Sequence, residues 1–259
     1  MKAWRKVVIL LMLMVFIAGL GFLLYPYLQG AIADYRITQE AHEFLEMVET
    51  RPTKPEETIP EETEPPVTEP EETEPILYPE LLIAMQSYNQ QIWEEKQAGL
   101  CDPWAYEQPS FKLGDYGLED EVFGVISIPA IDLEMPLYLG ATSSHLAKGA
   151  AQLSQTSLPV GGMNTNCVIA GHRGFNGAIY FRNVPELKIG DEVILTNLWE
   201  TMTYTVTETQ IILPNEVDQI LIQEGRDMIT LLTCHPYASG GIQRFLVFCD
   251  RVTKEGGIK

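Results

Sequence analysis

Cys234 closes an apolar run, Ile229-Thr230-Leu231-Leu232-Thr233-Cys234, and Arg244 stands just before the next, Phe245-Leu246-Val247-Phe248. Upstream, His172 in Gly171-His172-Arg173-Gly174 follows a third run, Cys167-Val168-Ile169-Ala170. These residues supply a nucleophile, a proton carrier and a permanent cation. That combination suits attack on an amide carbonyl through a thioester, because a thiolate forms beside positive charge and the tetrahedral oxyanion needs a donor. The plain alternative is a structural cysteine in a strand. Against it, Cys234 lies where apolar sequence gives way to His235-Pro236-Tyr237, at the edge of a core.

Each role has a competitor. Arg173 adjoins His172 and rivals Arg244 as the cation. His235 adjoins Cys234, but neighbours in an extended segment point to opposite faces, so His235 reads as a loop or surface residue. A guanidinium stays protonated and cannot serve as acid or base, which leaves that work to His172 and carbonyl or oxyanion binding to Arg244. A papain-like arrangement is disfavoured, since there the cysteine precedes the histidine and opens a helix. Cys167 and Cys249 sit inside apolar runs and read as buried thiols. The four cysteines and four histidines show neither CxxC nor metal-ligand spacing, so no metal and no cofactor is expected.

Strands must carry these groups. From Val122 onward come short apolar or alternating stretches: Val122 to Ile128, Cys167 to Ala170, Glu192 to Thr196, Thr203 to Val206, Met228 to Thr233 and Phe245 to Val252. Turn signals separate them, among them Pro159-Val160-Gly161-Gly162, Gly174-Phe175-Asn176-Gly177 and Ser239-Gly240-Gly241. Many closely spaced strands with few helices indicate a mainly β domain, a closed or nearly closed barrel. If the strands ending at Cys234 and beginning at Arg244 pair antiparallel, thiol and guanidinium meet. His172, at another strand end, reaches the same rim.

No charged residue occurs from Val7 to Ala33, long enough for the ~20 residues that a bilayer crossing needs. Lys2, Arg5 and Lys6 precede this run, which keeps the N-terminus cytoplasmic and sends the remainder outside. The expectation is a single-pass cell-membrane protein with an extracellular catalytic domain. A cleaved signal peptide ending near Ala31-Ile32-Ala33 is the alternative, although its apolar core is ordinarily only ~7–15 residues. Ala41, Phe44, Leu45 and Val48 then recur at helical spacing, up to Pro52. Three Pro-Glu-Glu-Thr repeats follow, beginning at Pro55, Pro60 and Pro70, in a charged, proline-rich spacer expected to be extended and disordered. Leu82, Met85, Asn89, Ile92 and Trp93 mark one face of a further helix, with Gly99 placed to end it. The expected divisions are a cytoplasmic tip and anchor at 1–33, a juxtamembrane helix at 34–51, a spacer at 52–78, a helix and lid at 79–121, the barrel at 122–253 and a tail at 254–259. A formal net charge of -19 argues against nucleic acid as a partner.

Thr230-Leu231-Leu232-Thr233-Cys234, with Pro236 and then Arg244, resembles the TLxTC…R signature of sortases, and Gly171-His172-Arg173-Gly174 resembles their histidine motif. The resemblance covers about Tyr78 to Val252. It implies a closed eight-stranded β-barrel with N-terminal helices and a transmembrane helix. It also implies a cysteine transpeptidase that cleaves an LPxTG-like sorting signal and joins it to an amine. Asp102-Pro103-Trp104 is similar to the lid motif of class C sortases, which polymerise pilins. Carried over, Asp102 pairs with Arg244 and Trp104 covers Cys234, while the bland reading makes this tripeptide a turn packed on the barrel. A disulfide between Cys101 and Cys234 is a further idea resting on Cys101 lying beside the lid.

On the class C reading the partners are pilin sorting signals and an acceptor pilin lysine. On the alternative reading, surface proteins are joined to a peptidoglycan precursor. A non-catalytic, membrane-tethered adhesin or binding module is the remaining class. Many class C members carry a second, C-terminal membrane segment, whereas Lys254-Glu255-Gly256-Gly257-Ile258-Lys259 contains no apolar stretch, and the Pro-Glu spacer is also unusual for the class.

Overall fold

The computed structural model describes residues 2–50, 76–100, 111–118 and 122–252. Eight strands close into a barrel: β1 (Val122–Ile128), β2 (Leu133–Leu139), β3 (Ala150–Gln152), β4 (Thr165–Ala170), β5 (Glu192–Thr196), β6 (Thr201–Ile212), β7 (Asp227–His235) and β8 (Gln243–Arg251). Around the barrel they run β1-β2-β3-β4-β7-β8-β6-β5. β4 pairs with β7 in parallel and β7 with β8 antiparallel. The C-terminal ends of β4 and β7 and the start of β8 therefore share one rim.

Two strands escape the sequence pattern. β2 contains Pro136, which lacks a ladder donor and argues against a strand. The barrel accommodates it because β2 pairs with β3 only from Leu137 onward, so at Pro136 that side of the strand is an edge. β3 is three residues long, too short for any periodicity.

Alternation sorts the side chains. Ile229, Leu231, Val247 and Cys249 face the barrel interior with Ile126, Ile169, Leu195 and Tyr204. Met228, Leu232, Leu246, Phe248, Val168 and Ala170 belong to a second cluster with Leu146 and Ile220. This outer-face cluster positions the site, because Cys234 and Arg244 keep the even-numbered parity of that face.

The anchor and juxtamembrane segments form one uninterrupted helix, α1 (Lys2–Glu49), in place of two elements. From Trp4 to Leu28 it exposes apolar side chains, as a single-pass membrane anchor requires. Beyond that, Ile37, Ala41 and Phe44 are buried against the barrel, and the Tyr138 hydroxyl donates to Glu40 at 2.7 Å. α2 (Pro79–Glu94) ends five residues before Gly99 and buries Leu81, Met85, Asn89 and Ile92, whereas Trp93 is half-buried. The buried Asn89 amide serves the backbone of Leu158, accepting from its N–H at 2.7 Å and donating to its carbonyl at 3.2 Å. Residues 51–75, most of the predicted spacer, lie outside the described residues, as do 101–110 with Cys101, Asp102, Pro103 and Trp104.

Candidate active site

Cys234 and Arg244 are directly opposed partners on β7 and β8. Residues so opposed hold their Cβ atoms about 4.5–5.5 Å apart on one face. The sulfur and the Nη1 of Arg244 both lie 3.1 Å from the point that a Cβ on Gly241 would occupy. Gly241 is therefore the floor between thiol and guanidinium, with φ +81° to reach that position. Arg244 is buried, 3% exposed, and donates to the Gly241 carbonyl at 2.6 Å, so the same guanidinium fastens the loop that lines it.

His172 reaches this rim through β4. Ala170 is the register partner of Leu232, Gly171 N–H donates to the Leu232 carbonyl at 3.0 Å, and the Thr233 hydroxyl donates to the Gly171 carbonyl at 2.8 Å. Extending that register by two residues sets His172 beside Cys234. His172 thus lies two residues past the end of β4, at the rim where Cys234 and Arg244 are paired. Gly171 is required there, because a Cβ would lie 2.7 Å from the Phe181 ring.

The His172 ring lies in an aromatic cage. Phe175 stacks on it with centroids 4.6 Å apart and planes 16° apart, and Tyr180 meets it edge-on at 6.1 Å. Burial lowers the imidazole below its ordinary value, since the charged form loses water. Sequence reasoning missed Phe175, Tyr180 and Gly241. The Asn176-Gly177 turn was legible, but nothing in the sequence tied its neighbours to His172.

The competing residues are engaged elsewhere. Arg173 Nη1 donates to His235 Nδ1 at 2.9 Å and to the Cys234 carbonyl at 3.4 Å, and desolvation followed by the Arg173 charge lowers His235. The His235 ring packs near Phe245, whose parity is opposite to that of Cys234. Cys167 and Cys249 are buried, and burial pushes both thiols far up, beyond any nucleophilic range. Cys234 alone among the described cysteines is half-buried at a strand end. Among the described residues, no group of three or more His, Cys, Asp or Glu is placed to hold a metal ion.

The chain is similar to known proteins over the barrel. Residues 126–252 match the family model for the sortase domain. Sortase A of Bacillus anthracis is 28% identical over 152 residues, covering 58% of this chain and 70% of that protein. Among solved structures, sortase C-1 from Actinomyces oris is 34% identical with a TM-score of 0.58, covering 68% of this chain and 99% of that one. The pilus-related sortase C of Group B Streptococcus is 31% identical with a TM-score of 0.61, covering 69% and 91%.

Proposed function

Because the chain belongs to the sortase family of cysteine transpeptidases, we propose that this enzyme cleaves an LPxTG-like sorting signal with Cys234 and transfers the acyl fragment to a pilin lysine. The observation that carries this reading is the direct opposition of Cys234 and Arg244 across Gly241. The likeness to class C structures, one of them pilus-related, supports polymerisation over wall attachment.

The Cys234 thiolate attacks the threonine carbonyl, forming the S–C bond while the Arg244 guanidinium binds the oxyanion. The C–N bond to glycine breaks as His172 gives its proton to the leaving amine. The lysine amine then attacks the thioester, His172 takes the excess proton, the C–S bond breaks and an isopeptide bond remains. Burial of His172 favours the neutral imidazole, which suits the second, proton-accepting half. α1 holds the barrel on the outer membrane face. Incubating the full chain with a labelled LPxTG-type peptide and two acceptors, a lysine-bearing pilin peptide and an oligoglycine amine, tests the reading. An isopeptide product with the pilin peptide is expected; exclusive use of oligoglycine contradicts the polymerising role.

The resemblance of Asp102-Pro103-Trp104, outside the described residues, to the class C lid motif extends the proposal to an Asp102–Arg244 pair and a Trp104 cover for Cys234. Asp102→Ala or Trp104→Ala should speed alkylation of Cys234 several-fold, because the cover leaves while the activating groups stay. Labelling rates that match the unaltered protein would assign the tripeptide to a turn.

A further inference from the structure

The excursion from Gly171 to Asp191 between β4 and β5 folds its tip onto α1. Phe175 and Ala178 exchange both backbone hydrogen bonds, at 3.2 and 2.9 Å, closing a two-residue turn. Its corners are Asn176 at φ 48° and Gly177 at φ 88°, the left-handed pair that an Asn-Gly hairpin supplies. The turn presses directly against helix backbone. A Cβ on Gly30 would stand 2.5 Å from the Gly177 carbonyl oxygen, and one on Gly177 would stand 2.8 Å from the Pro26 carbonyl oxygen. Neither position tolerates a side chain. One turn of α1 further on, Ile179 N–H donates to Asp34 Oδ1 at 2.8 Å.

The two residues flanking this seat hold the imidazole. Phe175, just before the turn, stacks on His172, and Tyr180, just after it, closes the edge and donates its hydroxyl to the Ala147 carbonyl at 2.6 Å. Phe175 and Tyr180 also meet each other edge-on at 6.2 Å. Contact therefore runs without a gap from the helix backbone through the Asn-Gly turn and the two aromatic rings to His172. Gly30 lies in the last turn of the uncharged stretch, so the seat forms where the chain leaves the bilayer.

We infer that α1 is a positioning element of the active site: Gly30 and Asp34 seat the 175–178 turn so that Phe175 holds the His172 imidazole in its working orientation. This rests on the role given to His172 above. The anchor thereby does more than tether the barrel, since the geometry of the proton carrier depends on the helix being docked.

The test is the pH dependence of transpeptidation by the full chain in vesicles, for Gly30→Leu, Asp34→Ala, Asp34→Asn and Phe175→Leu. Leucine is a better helix former than glycine, so Gly30→Leu keeps α1 intact while unseating the turn. An unseated ring gains water and loses the desolvation that lowers it. The inflexion belonging to His172 should then move up in pH, kcat should fall about tenfold, and KM for the peptide should hardly change. Asp34→Ala and Phe175→Leu should reproduce the shift. Asp34→Asn, which keeps an oxygen to accept from Ile179, should restore the unaltered profile. A Gly30→Leu enzyme with unaltered kcat and inflexion, or one losing rate with the inflexion unmoved, overturns the inference. His172→Ala is run alongside: if it stays active, the role of His172 itself fails, whereas an inactive His172→Ala beside an unaltered Gly30→Leu defeats the α1 inference alone.

Discussion

Replacing Arg244 by alanine should lower kcat/KM for transpeptidation by about 10²–10³-fold, the loss that follows removal of one oxyanion donor. The reason lies in placement. Arg244 is the register partner of Cys234, is 3% exposed, and sets one nitrogen 3.1 Å from the space beside the sulfur. A charge so desolvated acts at short range with little screening. Arg244→Lys keeps the charge but loses the planar fork and should remain at least about tenfold impaired. Arg173→Ala provides the contrast, since that guanidinium is bound to the Cys234 carbonyl and His235 Nδ1. Its removal should cost only about a few-fold. Because Arg244 also holds the Gly241 carbonyl, thermal unfolding midpoints should be recorded for each variant, and the kinetic difference must persist where the midpoints agree. Full activity in Arg244→Ala together with an inactive Arg173→Ala would reverse the assignment.

Gly241→Ala should lower kcat/KM by about 10²-fold, whereas Gly240→Ala should have a far smaller effect. Both glycines adopt left-handed backbone, at φ +81° and +73°, so an alanine strains the loop similarly at either position. They differ in what the new methyl meets. At Gly240 it finds nothing within 4 Å; at Gly241 it lies 3.1 Å from both the Cys234 sulfur and Arg244 Nη1. Comparing the pair removes the shared backbone strain and leaves the cost of wedging a carbon between nucleophile and cation. Equal kinetics for the two variants would mean that the space beside Gly241 is not where the carbonyl binds.

The site was legible because its three groups end or begin apolar runs, and period-2 alternation then fixes their parity. Cys234, Arg244 and His172 keep the parity of Leu232, Leu246 and Ala170, all members of the outer-face cluster. The barrel was legible in its longer strands and illegible in β2 and β3, where Pro136 and a three-residue length erase the pattern. Those two strands complete the barrel and carry none of the three groups. The continuity of α1 was hidden by composition, since an all-round apolar stretch and a one-sided amphipathic stretch read as separate elements. What joins them is a docking surface built by Gly30, Asp34, Ile37, Ala41 and Phe44 against the barrel. The aromatic cage around His172 was hidden for a related reason. Phe175 and Tyr180 gain their meaning from a turn that folds back on a helix about 150 residues earlier in the chain.

The central claim is that the acyl fragment passes through a thioester on one sulfur. The most direct measurement is the mass of the intact full chain, acid-quenched during reaction with an LPxTG-type peptide in the absence of an amine acceptor. The account predicts an adduct equal to the peptide fragment ending at threonine, mapped to Cys234, discharged by added amine and absent from Cys234→Ala. Turnover by Cys234→Ala, or an adduct carried by any other residue, would contradict it.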